Sequence, residues 1–169
     1  LLSEQAVNPS FDGLSVVFLG TYPSLFRLGL FGHDELGTRR ITSPDETVFA
    51  FPAVAGDYVA WAELEGNELS VKLYDGATTR QIAAPDTQGS VDVDREGRVV
   101  WLREADNGVG FEVIYFDGDQ TIQLTHDGLE KEDLAIDDGV VVWRTNFEGT
   151  AQISVFDGRE IWSPEGFFS

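Results

Sequence analysis

Residue types able to do chemistry are spread unevenly along this chain. Carboxylates dominate, with 30 Asp and Glu against 11 Lys and Arg, a formal charge of −19. Their most ordered grouping is Asp92-Val-Asp94-Arg-Glu96-Gly97. Oxygen side chains at alternating positions ahead of a glycine resemble a shortened calcium loop, so Asp92, Asp94 and Glu96 are candidate calcium ligands. The loop is short, has no closing Glu and carries Arg95, whereas a hard cation takes about 6–8 oxygens. The competing reading makes the same residues a strand end followed by an Asx-type turn. A second acidic group, Asp127 with Glu130 to Asp133, reads as a solvated linker.

Nucleophilic catalysis finds little support. The two histidines, His33 and His126, fall in turns of different repeats, and a nucleophile needs a base and an orienting group beside it. The glycines recur as turns do and form no phosphate-binding loop. Tyr22 and Phe26, in Thr21-Tyr-Pro-Ser-Leu-Phe26, make the most apolar of the connecting loops. They are a candidate contact patch for a protein or a sugar ring, or else a cover for a sheet edge. Arg103 and Arg144 follow closely after tryptophans and either line one face or pair with the abundant carboxylates.

Charge limits the partners. A basic footprint is what phosphate backbones select, so nucleic acid is excluded as a partner, and an anionic membrane surface repels the chain. No apolar run approaches the ~20 residues of a bilayer span. There is no cysteine, hence no disulfide or thiolate site. The lack of any methionine points to a processed chain or a piece of a longer one. Only Lys72 and Lys131 are lysines, a balance that suits an extracellular, cell-surface or periplasmic setting.

The elements that must position these residues come from a repeat. Gly139-Val-Val-Val-Trp143 leads to Phe156-Asp-Gly158, Gly97-Arg-Val-Val-Trp101 to Phe116-Asp-Gly118, and Gly56-Asp-Tyr-Val-Ala-Trp61 to Tyr74-Asp-Gly76. In the first repeat Gly13-Leu-Ser-Val-Val-Phe18 leads to Phe31-Gly32, with Gly32-His33 standing in for Asp-Gly. Fifteen residues separate Ile41 from Gly56, Ile82 from Gly97 and Leu124 from Gly139. A unit of about forty residues written four times marks a repeat architecture. The repeats span about 7–45, 53–86, 90–127 and 134–165 of a single domain, 1–169.

Each repeat reads as four short strands. In the fourth they are Leu134–Ile136, Val140–Trp143, Ala151–Phe156 and Glu160–Trp162, with a hairpin at Asp157-Gly158. In the third they are Val91–Val93, Val99–Trp101, Phe111–Phe116 and Thr121–Leu124; the second and first follow the same plan, with Phe26–Phe31 as the third strand of repeat one. No sustained helical period exists. The fold expected is an all-β propeller of four blades, each of four antiparallel strands, with Trp61, Trp101, Trp143 and Phe18 filling the space between blades.

Asn8-Pro-Ser-Phe-Asp-Gly-Leu-Ser-Val-Val-Phe18 and Phe111-Glu-Val-Ile-Tyr-Phe-Asp-Gly-Asp-Gln-Thr-Ile-Gln-Leu-Thr125 resemble the repeat of TolB-type β-propellers, and most closely the tandem repeats of secreted and surface proteins. The resemblance covers essentially the whole chain. It implies a propeller fold and leaves function open, because such repeats serve unrelated proteins. Propellers of that type usually have six or more blades, so the chain is expected either to close as a four-bladed ring or to be a segment of a larger propeller. Phe167-Phe168 is expected to dock back onto the ring.

The functional expectation is a non-catalytic binding or structural module of a secreted or surface protein, needing no cofactor, with calcium the one candidate ion. Its partner is a protein or a carbohydrate. Two alternatives stand beside it: the propeller of a polysaccharide-active enzyme, and a subunit that self-associates through open blade edges into a filament or larger ring.

Overall fold

A computed structural model describes residues 6–13, 15–21, 28–43, 52–65, 68–83 and 87–164. Among them are four antiparallel sheets of four strands and no helix. The first blade is β1 (Ala6–Asp12), β2 (Ser15–Thr21), β3 (Leu28–Asp34) and β4 (Gly37–Arg40). The second is β5 (Ala53–Ala55), β6 (Tyr58–Glu65), β7 (Glu68–Tyr74) and β8 (Thr79–Ala83). The third is β9 (Thr87–Val93), β10 (Val99–Glu104), β11 (Phe111–Phe116) and β12 (Thr121–Gln123). The fourth is β13 (Glu130–Asp137), β14 (Val140–Phe147), β15 (Thr150–Phe156) and β16 (Ile161–Trp162). Within each sheet the spatial order is the chain order, so every blade is a meander built from its own repeat.

Turn glycines make the first hairpin of each blade possible. Gly13, Gly56, Gly97 and Gly139 have φ of +56°, +59°, +76° and +75°, a region costly for residues with a Cβ. Close packing adds a second reason. A Cβ on Gly97 would lie 2.5 Å from the ring of Tyr58 in the preceding blade, and one on Gly139 would lie 2.6 Å from the Arg98 guanidinium.

Three apolar layers hold the blades together. Val17, Leu19 and Leu30 pack on Val54, Val59 and Trp61. Ala60, Val71 and Leu73 pack on Val99, Trp101, Ile114 and Phe116. Val100, Leu102, Val113 and Tyr115 pack on Val141, Trp143 and Phe156. Trp61, Trp101 and Trp143 therefore each face the preceding blade, and all three are at most 2% exposed. The inter-blade role expected of them holds.

Strand alternation shows which blades are covered on both sides. In β10, Val99 to Leu102 are all buried, as are Val59 to Ala62 in β6, because both faces of the middle blades meet a neighbour. In β14 buried residues alternate with half-buried ones, so among the described residues its apolar layer lies on the face toward the third blade. Among the described residues no apolar layer joins the fourth blade to the first. The closed four-bladed ring is therefore not what forms here; an open array of blades fits the segment alternative.

Other expectations are corrected in detail. The acidic stretch Glu130 to Asp133 is strand, not solvated linker, because its backbone pairs with Asn146, Thr145 and Arg144. The middle strands run past their aromatic anchors, as β6 does to Glu65, since ladder pairing continues where the apolar pattern stops. In repeat one His33 pairs with Thr38, in the register of Phe116 with Thr121. The turn there is Asp34-Glu35-Leu36-Gly37, and Gly32-His33 lies inside β3 and replaces nothing. Phe26, Phe167 and Phe168 lie outside the described residues.

Candidate functional site

The first strand of each blade is the innermost, and β1, β5, β9 and β13 are successive neighbours across the array. All four run the same way, so their carboxyl ends meet at one end of the array. They line a funnel of about 510 Å³ there. Its wall is made of the last two residues of each inner strand: Phe11-Asp12, Val54-Ala55, Asp92-Val93 and Ile136-Asp137, joined by Arg95. Four equivalent positions in sequence thus become one site in space.

Its electrostatics are acidic. Asp12 accepts the Gly56 amide at 2.6 Å and Arg95 Nη2 at 2.5 Å. Those bonds, the backbone one first, hold its carboxyl below the ordinary 3.8. Asp92 accepts the amides of Val93 at 3.0 Å and Ile136 at 2.9 Å. Burial nevertheless raises its pKa above 3.8, with the charges of Asp94 and Asp137 acting in the same direction. Three carboxylates, Asp12, Asp92 and Asp137, thus stand against one guanidinium at this opening.

The candidate calcium ligands part company. Asp92 faces the funnel. Asp94 is 1% exposed and binds blades together: its Oδ1 accepts the Glu96 and Arg98 amides, and its Oδ2 accepts Arg98 Nε at 2.6 Å and the Gly139 amide at 2.9 Å. Glu96 is exposed and pairs with Arg98 Nη2 at 2.7 Å. Among the described residues no three His, Cys, Asp or Glu stand together as a metal set. The arrangement gives calcium at Asp92, Asp94 and Glu96 no support, and the Asx-turn reading describes Asp94.

Tyr22 and Phe26 lie outside the described residues. His33 is in β3 of the first blade, its Nδ1 2.7 Å from Thr38 Oγ1, and His126 follows β12 in the third, beside Gln123. Arg144 pairs with Glu132 at 2.8 Å and Asp133 at 2.7 Å, whereas Arg103 donates to Gln123 Oε1 at 2.6 Å. A smaller recess of about 200 Å³ contains His126, Gln123 and the buried Glu112. Glu112 accepts the Gly128 amide and the Thr125 hydroxyl, and beside it Lys131, wholly buried, donates to the Phe111 carbonyl at 2.8 Å and to Asp127. That network satisfies the loop before β13 and is structural.

Sequence reasoning missed Asp12, Arg95 and Asp137 as members of one site. The signal was present in their position just before each turn glycine, but nothing along the chain says that successive strand ends converge.

These features define the class: the protein is a β-propeller. No family model matches the sequence, and no curated protein matches it. Among solved structures the chain is similar to TolB from Acinetobacter baumannii, at 13% identity and a TM-score of 0.66, covering 94% of this chain and 43% of that one. It is also similar to the β-propeller domain of the trilobed protease from Pyrococcus furiosus, which has an open Velcro topology (12%, 0.67, 95% and 56%). A third is the acylaminoacyl peptidase of Pyrococcus horikoshii (11%, 0.70, 94% and 26%). The likeness is one of fold, and the chain spans at most 56% of the length of these proteins.

Proposed function

We propose that this propeller is a non-catalytic binding module of an extracellular or surface protein, and that its partner is engaged at the acidic funnel. The observation that carries the reading is the convergence of Asp12, Asp92 and Asp137, from three different blades, on one opening with a single Arg95. A rigid sheet scaffold presents them without reordering, which lowers the cost of binding. The group accepted is cationic, such as a Lys or Arg side chain of a protein partner. Phe11, 78% exposed at the rim, supplies an apolar ring against which an aliphatic stem or a sugar face can lie. The polar residues lining the funnel are the three carboxylates and Arg95, a set suited to holding a cationic group. Tyr22 and Phe26 form the second contact patch of this reading.

Calorimetric titration with a Lys/Arg-rich peptide and its Glu-rich counterpart tests it. The basic peptide should bind, weaken as salt rises, and lose about tenfold in affinity, on the order of 1.4 kcal/mol, in Asp137→Asn or Asp92→Asn. Asp119→Asn, on an exposed hairpin, is the control for general attraction to an acidic protein. Equal losses in all three variants, or no binding, would sink the funnel reading.

A further inference from the structure

One turn at the mouth of the funnel departs from its three counterparts. In the first, second and fourth blades the opening hairpin leaves two residues between the pairs Asp12–Ser15, Ala55–Tyr58 and Asp137–Val140. In the third, the five residues Asp94 to Arg98 separate Val93 from its partner Val99. The longer turn is held firmly. The Asp94 side chain accepts the amides of Glu96, Arg98 and, from the fourth blade, Gly139. The Asp94 amide donates to the Arg98 carbonyl at 3.0 Å, and Gly97 lies against the Tyr58 ring of the second blade.

This turn sends Arg95 away from its own blade. The stem passes over the Gly56 turn, its Cγ 3.9 Å from where a Cβ on Gly56 would stand, and Nη2 reaches Asp12 Oδ1 of the first blade at 2.5 Å. The bond to Asp12 is the first reason that the Arg95 pKa is raised, and the charge of Asp137 acts in the same direction. A guanidinium supplied by the chain itself thus stands among the carboxylates of the funnel. The pair is exchangeable. The Arg95 side chain is 67% exposed, and ion pairs that water reaches contribute little. Asp12 accepts the Gly56 amide through its other oxygen, Oδ2, so departure of Arg95 leaves that bond in place.

We propose that Arg95 is a tethered competitor of the funnel's guest: it occupies Asp12 while the funnel is empty, and a basic side chain of the partner displaces it. The inference rests on the funnel being the binding site for a cationic group. It adds a selectivity that three carboxylates by themselves lack. A short tether keeps Arg95 at an effective concentration on the order of mM, so free cations well below that level leave it in place. A basic peptide that also meets Asp92 and Asp137 gains the further contact needed to displace it.

Calorimetric titration of the Lys/Arg-rich peptide into the 169-residue chain and into its Arg95→Gln, Asp12→Asn and double variants tests the competition. Arg159→Gln, on an exposed outer hairpin, controls for the loss of one positive charge. Near-ultraviolet circular dichroism should be the same throughout. Arg95→Gln should bind about threefold or more tighter than the parent, because the internal competitor is gone, and Arg159→Gln should not. Asp12→Asn should lose more affinity in the Arg95→Gln background than in the parent, where it removes the competitor's hold together with the guest's. Arginine side-chain NMR of the parent should show the Arg95 guanidinium signals moving toward those of an unpaired arginine as peptide is added. Equal gains in Arg95→Gln and Arg159→Gln overturn the proposal, as do Arg95 signals that stay in place. Weaker binding by Arg95→Gln overturns it in favour of Arg95 as a contact for a partner's carboxylate. If Asp137→Asn weakens binding while Arg95→Gln leaves it unchanged, the competitor is refuted and the funnel reading stands; no binding by Arg95→Gln refutes both.

Discussion

A single aspartate begins the last hairpin of every blade. Asp75 Oδ1 accepts the amides of Ala77 and Thr78, Asp117 those of Asp119 and Gln120, and Asp157 those of Arg159 and Glu160. Asp34 does the same for Leu36 and is also bound by Arg39. The pKa of all four is lowered from 3.8, by Arg39 first for Asp34 and by the backbone amides of Thr78, Gln120 and Glu160 first for the others. Burial moves Asp92 the opposite way. The signs follow by linkage: a lowered folded pKa contributes stability that is present above 3.8 and is lost as pH falls through the folded value. The raised Asp92 opposes folding while ionised, and that opposition disappears as pH falls through its folded pKa. Carboxyl-carbon NMR titration should give midpoints below 3.8 for Asp34, Asp75, Asp117 and Asp157, and above it for Asp92. A midpoint for Asp92 at or below that of Asp117 would refute the burial argument. Three of the hairpin aspartates were legible as Asp-Gly. Asp34 was not, since its glycine is Gly37, at the far end of the turn, and Gly32 offered a nearer but false match.

At the scale of the strand, the anchor at the end of each second strand separates one blade from the one before. Trp101 is sealed between the second and third blades, whereas Phe18 at the same register faces outward. Trp101→Ala should therefore cost about 3–5 kcal/mol, the range for truncating a large buried ring. Phe18→Ala, at a half-buried ring, should cost clearly less. Urea unfolding monitored by circular dichroism compares the two, and equal losses would contradict the open face. The inner strands show a second regularity. Asn8 and Asp133 have φ of +52° and +53° at bulges that fall in the same register of the first and fourth blades. Asn and Asp tolerate that left-handed conformation better than other residues with a Cβ, and a bulge inserts one unpaired residue that bends the strand. Period-two reading cannot see such a residue, which is why β13 was read from Leu134 and its acidic start as linker.

For the molecule as a whole, stability should vary from blade to blade. Among the described residues the second and third blades carry an apolar layer on both faces and the first and fourth on one. In a stack where each unit contacts only its neighbours, stability is close to a sum of unit and interface contributions. Hydrogen exchange should find the strongest protection in β6, β7, β10 and β11, with β2, β3, β14 and β15 exchanging faster. Uniform protection across all four blades would mean a single cooperative unit and contradict the open array.

What the sequence determined by itself is the blade: a four-strand unit, repeated four times, with its turn glycines and its aromatic anchor at constant register. Those are local properties, set by φ/ψ preference, strand alternation and spacing within about forty residues. What only the tertiary structure decided is how the units meet. The middle strands β10 and β14 carry nearly the same pattern, Val-Val-Trp-Leu-Arg and Val-Val-Val-Trp-Arg, yet one is buried on both faces and the other on one. Whether a blade has a neighbour depends on the rotation accumulated between blades, and no single repeat encodes that sum. The same rotation brings Asp12, Asp92 and Asp137, about forty residues or more apart along the chain, to the mouth of one funnel.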